Sequence, residues 1–202
     1  MNVYLLLGNH EMVSTSPGDH ALAPLLAPGV YTQDRAQRIG PLCLVPFAPG
    51  DAGSYVASAV HSEVNRTRGR RYNADLLAVC VHAGVRDPRT APWLWNAPDS
   101  VDVDEFASLC AEVGAGYAFA GNWHDRRSWV RIVGSAEDPS REAAGATERL
   151  GGKVVRVYQL GALVPTGWDN PGRDYGALGI FDTDLAASAP ERAVRMIAVP
   201  GP

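Results

Sequence analysis

Three short apolar segments of the sequence each end in side chains that can bind metal ions or transfer protons. Imidazole and carboxamide groups bind divalent cations, and imidazole and carboxylate groups act as general acids and bases. The residue types therefore indicate metal-dependent or acid–base chemistry, provided that the three groups meet in space. They are Gly8, Asn9, His10 and Glu11 after residues 4–7, His82 after residues 76–81, and Gly121, Asn122, Trp123 and His124 after residues 117–120.

Each group taken alone also has a simple structural interpretation. The first is compatible with a turn that caps a helix, and His82 with a core histidine satisfied by the backbone. Gly121 and Asn122 are compatible with a type I′ turn between strands 117–120 and 128–133. The repetition at three strand ends favours a functional site, because ligands bind outside the carboxyl ends of strands in open α/β sheets.

The segment 74–85 is the clearest strand in the sequence. Its uninterrupted apolar residues predict a strand buried on both faces, as in the centre of a parallel sheet. Residues 2–7 and 117–120 are likewise expected to be short buried strands. His20 and His61 lie outside these strand ends, and we expect both at the surface.

Two helices are predicted. Residues 54–67 follow a helical period, with Glu63 away from the apolar face. Asp102 is the expected N-cap of a second helix, with Glu105 three residues later as in a capping box. The expected apolar faces consist of Val56, Ala59, Val60 and Val64 in the first helix, and of Phe106, Leu109, Cys110 and Val113 in the second.

The rest of the chain is expected to form short strands and loops. Residues 12–29 predict a loop with one or two helical turns, and residues 135–151 a surface loop or loose helix. Further strands are predicted around 30–32 and 42–47, at 128–134 as an exposed strand, and in the tail segments KVVRVYQLG, YGALGIFD and VRMIAVP.

The amino-acid composition is that of an ordinary globular protein. It has 202 residues, 46% of them hydrophobic, with 15 prolines and 21 glycines, which favours many loops over a helical bundle. A net charge of −4 argues against a broad nucleic-acid-binding face. The three cysteines, Cys43, Cys80 and Cys110, lie far apart in apolar segments and are expected to be buried free thiols. With neither a signal peptide nor a membrane span in the sequence, we expect a cytoplasmic protein without membrane contact.

At the three strand ends the sequence resembles the calcineurin-like metallophosphoesterases. That family is marked by D-x-H, G-D-x-x-D, G-N-H-(D/E), a strand-end histidine and G-H-x-H. GNHE at residues 8–11 matches the third motif in full, LLAVCVHAGV resembles the fourth, and YAFAGNWHDRRSW resembles the fifth. The tail YQLGALVPTGWDNPGRDYGALGIFD is similar to the strand–loop–strand after the last motif in phage and bacterial members. The resemblance covers nearly the whole chain, but only about the C-terminal two-thirds of the family's domain.

The resemblance implies a two-metal site for phosphoryl chemistry. It assigns Asn9, His82, His124 and Asn122 to metal binding. It places His10 over the phosphate, where an imidazolium can stabilise charge or protonate the leaving oxygen. Glu11 is expected to orient His10, and Arg126 and Arg127 are weaker candidates for contact with a substrate phosphate. Two divalent ions per complete site are implied, with Mn²⁺ favoured and Fe, Zn, Ni and Mg left open.

The sequence departs from the family pattern in two ways. No D-x-H or G-D-x-x-D motif precedes residue 4, so the bridging aspartate that holds two cations together is missing. Asn122 stands where the family has a histidine, and its amide oxygen favours harder ions such as Mn²⁺ over Zn²⁺. The expected fold is therefore α/β: an incomplete four-layer αββα sandwich, with two facing mixed sheets flanked by helices. The whole chain 1–202 is expected to be a single, N-terminally truncated domain that lacks the first strand–helix units.

The functional expectation is metal-dependent hydrolysis of a phosphomonoester or phosphodiester, with nucleic acid among the open substrate classes. Because the first two motifs and their strand–helix units are missing, a separate N-terminal half of the same domain is an expected partner. Two alternatives stay open: a non-catalytic remnant or partner subunit of a split phosphoesterase, and an unrelated α/β binding domain whose motifs match by coincidence.

Overall fold

A computed structural model describes residues 2–12, 21–22, 27–68, 75–90, 97–134, 152–161 and 177–198. The predicted helical turns within 12–29 and the segment 135–151 fall largely or wholly outside these ranges. The described elements, in chain order, are β1 (Val3–Leu6), β2 (Val30–Gln33), β3 (Gln37–Ile39), β4 (Leu42–Val45), α1 (Ala52–Thr67), β5 (Ala78–His82), β6 (Gly84–Arg86), β7 (Ser100–Asp102), α2 (Val103–Glu112), β8 (Tyr117–Gly121), β9 (Arg127–Val133), β10 (Lys153–Gln159), β11 (Ala177–Phe181), α3 (Thr183–Ser188) and β12 (Val194–Ala198).

Six strands form the central sheet, in the order β3-β4-β5-β8-β10-β9. The four inner strands are parallel to one another, and the two edge strands are antiparallel to their neighbours. The apolar run of β5 explains its inner position, since Val79 and Val81 are buried between sheet and helices. The predicted exposed strand is the edge strand β9, where Val130 is 60% exposed.

The two long helices cover one face of this sheet. The predicted apolar faces of α1 and α2 are confirmed, since all eight residues are buried in the main core cluster or packed against it. On the opposite face, a smaller cluster joins Ala78 and Tyr117 of the sheet to residues of β11, α3 and β12. A mixed α/β fold is thus confirmed, with one six-stranded mixed sheet and three two-stranded sheets among the described residues.

Glu63 is buried, which differs from its prediction. We expected it to point away from the apolar face of α1, but it is only 4% exposed. Its carboxylate accepts hydrogen bonds from the backbone N–H of Arg38 (2.6 Å) and from the Arg66 guanidinium (2.7 Å). The carboxylate is buried because it has these partners.

The first strand is less buried than predicted. β1 pairs in parallel with β2 in a two-stranded sheet, and Val3 and Tyr4 remain 37% and 38% exposed. Tyr4 stacks on Tyr31 of β2 with ring centroids 5.3 Å apart. Only Leu7, just beyond the strand, is buried. The predicted strand 74–85 is also divided, because it breaks after His82 and β6 then pairs with β7 instead of the central sheet.

All three cysteines are free, as predicted, but only Cys43 and Cys110 are fully buried, and Cys80 is half-buried. Burial raises the pKa of the Cys43 thiol to about 12. His61 is surface-located as predicted, with its side chain 40% exposed and Nε2 3.7 Å from Glu112 Oε2. Among the described helices, none is long and apolar enough to cross a bilayer.

The predicted N-cap of α2, Asp102, can be tested by its effect on stability. Asp102 Oδ1 accepts hydrogen bonds from the N–H groups of Asp104 (2.8 Å) and Glu105 (3.3 Å), as the predicted cap requires. Asp102→Ala is therefore expected to lower the free energy of unfolding by about 1 kcal/mol. Urea unfolding followed by circular dichroism measures this difference. Asp102→Ser keeps an oxygen acceptor and should lose clearly less, whereas an alanine variant as stable as the original chain would contradict the cap assignment.

Candidate functional site at the carboxyl ends of the parallel strands

The central sheet brings two of the three sequence groups side by side. β5 and β8 are adjacent and parallel, and His82 is in register with Gly121. Asn122 therefore follows directly beside His82, and His124 lies two residues further along the chain. The type I′ turn interpretation of Gly121 and Asn122 is wrong, because β10 lies between β8 and β9 and the two strands do not pair.

The backbone hydrogen bonds of Leu7 bring the remaining group, residues 8–11, to the same edge of the sheet. The Leu7 N–H donates to the carbonyl of Gln33 (3.2 Å), and the Leu7 carbonyl accepts from the N–H of Phe47 (2.8 Å). Phe47 lies two residues beyond β4, the strand next to β5. The turn at residues 8–11 is thus placed beside the carboxyl ends of the central strands.

Asn9 and His82 meet although 73 residues separate them. Asn9 Oδ1 lies 3.1 Å from His82 Nε2. This approach depends on Gly8, since a Cβ added there would lie 2.4 Å from His82 Cε1 and 2.5 Å from Glu11 Oε2. Both distances are far below van der Waals contact, so glycine is required where the imidazole and the carboxylate pack against the backbone.

His82 is electrostatically suited to remain neutral. Burial lowers its pKa below the ordinary histidine value, while the charge of Glu11 and a side-chain hydrogen bond with Asn122 act in the opposite direction. The ring of Phe47 covers it edge-on, with centroids 6.2 Å apart. A neutral imidazole is the form that binds a metal ion.

Glu11 and His10 lie at the mouth of this site. Glu11 Oε2 accepts a hydrogen bond from the backbone N–H of Gly8 (2.9 Å), which closes the turn on itself. His10 is exposed, and it lies close enough to His82 for a charge on it to lower the His82 pKa. The described contact of Glu11 is therefore with the turn, and its predicted role in orienting His10 stays a prediction.

Asp99 belongs to the site but was missed by sequence reasoning. Its Oδ2 accepts hydrogen bonds from Asn122 Nδ2 (2.8 Å) and from the Trp123 indole Nε1 (3.3 Å). Asp99 precedes β7 and follows a proline-rich segment, so neither periodicity nor a motif marks it. The nearest recognisable pattern is the helix cap at Asp102, three residues later, and it predicts the start of α2 but no role for Asp99.

The remaining predicted residues lie in the loop after β8 and at the start of β9. His124 is half-buried two residues beyond Asn122, Arg126 is exposed, and the Arg127 guanidinium is paired with the Asp125 carboxylate. Gln159, fully buried at the end of β10, anchors this loop by donating to the backbone O and to Oδ1 of Asp125, both at 2.8 Å. Substrate contact by Arg126 and Arg127 stays a prediction.

The donor set fits part of a divalent-metal site. Asn9 Oδ1 and His82 Nε2 are hydrogen-bonded at 3.1 Å, which is also about the separation of two ligands at right angles on one ion with bonds of about 2.1 Å. Asn122 adds a carboxamide beside His82. Within the described residues, however, no group of three or more His, Cys, Asp or Glu side chains can hold a metal ion. The described side chains thus provide one edge of a site, in which the nearby carboxylates of Glu11 and Asp99 do not join His82 in a metal-holding group.

The chain matches no protein-family model, no curated protein and no solved structure.

Proposed function

We propose that this chain carries one part of a metal-dependent phosphoesterase site for the hydrolysis of phosphomonoesters or phosphodiesters. The observation that supports the proposal best is the 3.1 Å approach of Asn9 Oδ1 to His82 Nε2. The two residues come from separate strand ends, and both match ligand positions of the metallophosphoesterase motifs that the sequence resembles.

In this proposal Asn9, His82 and Asn122, with His124 from the same loop, hold a divalent cation, with Mn²⁺ favoured because two of the donors are amide oxygens. When bound, such an ion polarises a phosphoryl oxygen as a Lewis acid. His10 is exposed at the mouth of the site, where it can donate a proton to a leaving oxygen. Glu11 holds the turn that carries both Asn9 and His10.

The proposal includes a second polypeptide segment that supplies carboxylate ligands. Two cations held close together need negative charge between them, whereas the Glu11 carboxylate accepts from the Gly8 N–H and the Asp99 carboxylate from Asn122 and Trp123. We further propose that the fold is an incomplete four-layer αββα sandwich. The exposure of Val3, Tyr4 and Tyr31 on the two-stranded β1–β2 sheet supports this, because parallel sheets are normally covered on both faces.

A Mn²⁺ titration of the purified chain, paired with a bis-p-nitrophenyl phosphate assay, tests this function. We expect Mn²⁺ to broaden the NMR signals of Asn9 and His82 selectively, while hydrolysis stays barely above that of Mn²⁺ alone. His61→Ala, on the distant surface of α1, is the matched histidine control and should change neither readout. If Mn²⁺ broadened no signals selectively, the proposed metal site would be wrong. If the chain alone hydrolysed the substrate rapidly with Mn²⁺, the proposal that the site is incomplete would be wrong.

A non-catalytic partner subunit is the second candidate. It is favoured by one observation, the lack of a metal-holding group of His, Cys, Asp or Glu among the described residues. The same titration separates the two candidates, because a non-catalytic subunit would show no selective effect of Mn²⁺ at His82.

A further inference from the structure

Asp99 ties together two loops at the edge of the candidate site. Its carboxylate Oδ2 accepts from Asn122 Nδ2 at 2.8 Å and from Trp123 Nε1 at 3.3 Å. Its backbone carbonyl accepts from the N–H of Gly84 at 2.9 Å and from Asn122 Nδ2 at 3.3 Å. One residue thus holds the segment after β8 against the segment after β5.

These hydrogen bonds decide which end of the Asn122 carboxamide faces the site. A carboxamide has a donor end and an acceptor end of nearly equal size, so its shape alone does not select an orientation. Asp99 offers only acceptors to Asn122, which fixes Nδ2 on the Asp99 side. Oδ1 is then the end of the carboxamide that points away from Asp99.

The backbone at Asn122 needs such an anchor. Its φ is 113°, in a region that residues with a side chain rarely adopt. Conformations of this kind persist where surrounding contacts hold them, and they concentrate at functional sites. The neighbouring Trp123 indole packs closely on Gly84, where an added Cβ would lie 2.3 Å from the ring.

We propose that Asp99 is a positioning residue that orients the carboxamide of Asn122, so that Oδ1 faces His82 and the site while Nδ2 faces away. The proposed orientation depends only on the hydrogen bonds between Asp99 and Asn122, and it does not require a metal ion. Its consequence rests on the proposed function: a carboxamide contributes to cation binding only through its oxygen, so loss of Asp99 weakens the metal site without removing any ligand.

The orientation is tested without metal by NMR of the ¹⁵N-labelled chain. Asn122→Ala and Trp123→Phe identify the side-chain amide and indole signals. In the original chain, the Asn122 amide protons should show a nuclear Overhauser effect to the Trp123 indole proton, because both groups donate to the same Oδ2. Overhauser effects from these amide protons to the His82 ring, in place of the indole, would overturn the proposal.

Variants then test the role of the carboxylate. Asp99→Ala should lose the contact between amide and indole, whereas Asp99→Asn, which keeps an oxygen acceptor, should retain it. Asp75→Ala, at an exposed aspartate, is the control and should leave the spectrum of the site unchanged. An intact contact in Asp99→Ala would overturn the proposal. If that variant does not fold, the original chain and Asp99→Asn still decide the orientation.

The Mn²⁺ affinity of the Asp99 variants tests the functional consequence of the proposed orientation. Asp99→Ala is expected to bind Mn²⁺ about 10-fold more weakly than the original chain, and Asp99→Asn to recover most of that loss. Equal affinities of Asp99→Ala and the original chain would contradict a positioning role. If the original chain binds no Mn²⁺, the proposed function fails, while the NMR contacts still decide whether Asp99 orients Asn122.

Discussion

Replacing His82 with alanine is expected to lower the affinity of the chain for Mn²⁺ by at least about 10-fold, more than any other single change at the site. The imidazole lies between Asn9 and Asn122, and its Nε2 is 3.1 Å from Asn9 Oδ1. In the proposed site, its removal takes away one of two imidazole ligands and leaves His124 with carboxamide oxygens, which bind divalent ions weakly. Isothermal titration calorimetry with MnCl₂ measures the change.

The matched control is His61→Ala, which removes an imidazole from α1 at a half-exposed position. Its Mn²⁺ affinity should equal that of the original chain. Amide spectra of both variants establish that the fold is kept, so that a loss of binding reports on the ligand. A folded His82→Ala variant with unchanged affinity would show that the strand-end histidine is not a ligand, and the resemblance to the fourth phosphoesterase motif would then be coincidental.

Phe106→Ala is expected to lower the free energy of unfolding by about 3–5 kcal/mol, the largest stability effect predicted for this chain. Phe106 is 2% exposed and lies on the face of α2 that packs on the central sheet. Truncation removes the transfer free energy of the ring and leaves a cavity, because the neighbouring strands relax only in part. Urea unfolding at equal m-values gives the difference.

Ser108→Ala on the same helix is the control for this prediction. Ser108 is exposed and its hydroxyl donates to the carbonyl of Asp104, four residues earlier. Its replacement should change stability by no more than about 0.5 kcal/mol. A loss below about 1 kcal/mol in Phe106→Ala would contradict the packing of α2 against the sheet.

The sequence by itself determined the elements whose apolar pattern is strong. The unbroken apolar run of β5 predicted an inner parallel strand, and Asp102 predicted the start of α2; both are confirmed. The polar groups at the strand ends were predicted to converge, and Asn9 does meet His82, but β1 pairs with β2 in a separate two-stranded sheet and not with the central sheet. Each inference needs only the period of an element, its end signals and the direction of its strands.

The tertiary structure alone decided which polar groups meet. Asp99 reaches Asn122 across 23 residues, and Glu63 is buried because the backbone N–H of Arg38, 25 residues away, donates to it. The exposure of Tyr4 depends in the same way on which strand lies beside β1. A local pattern shows that a side chain is apolar or polar, but not which distant donor or acceptor will satisfy it. Hydrogen bonds between distant segments depend on how the elements pack, and that arrangement selects the partner of each polar group.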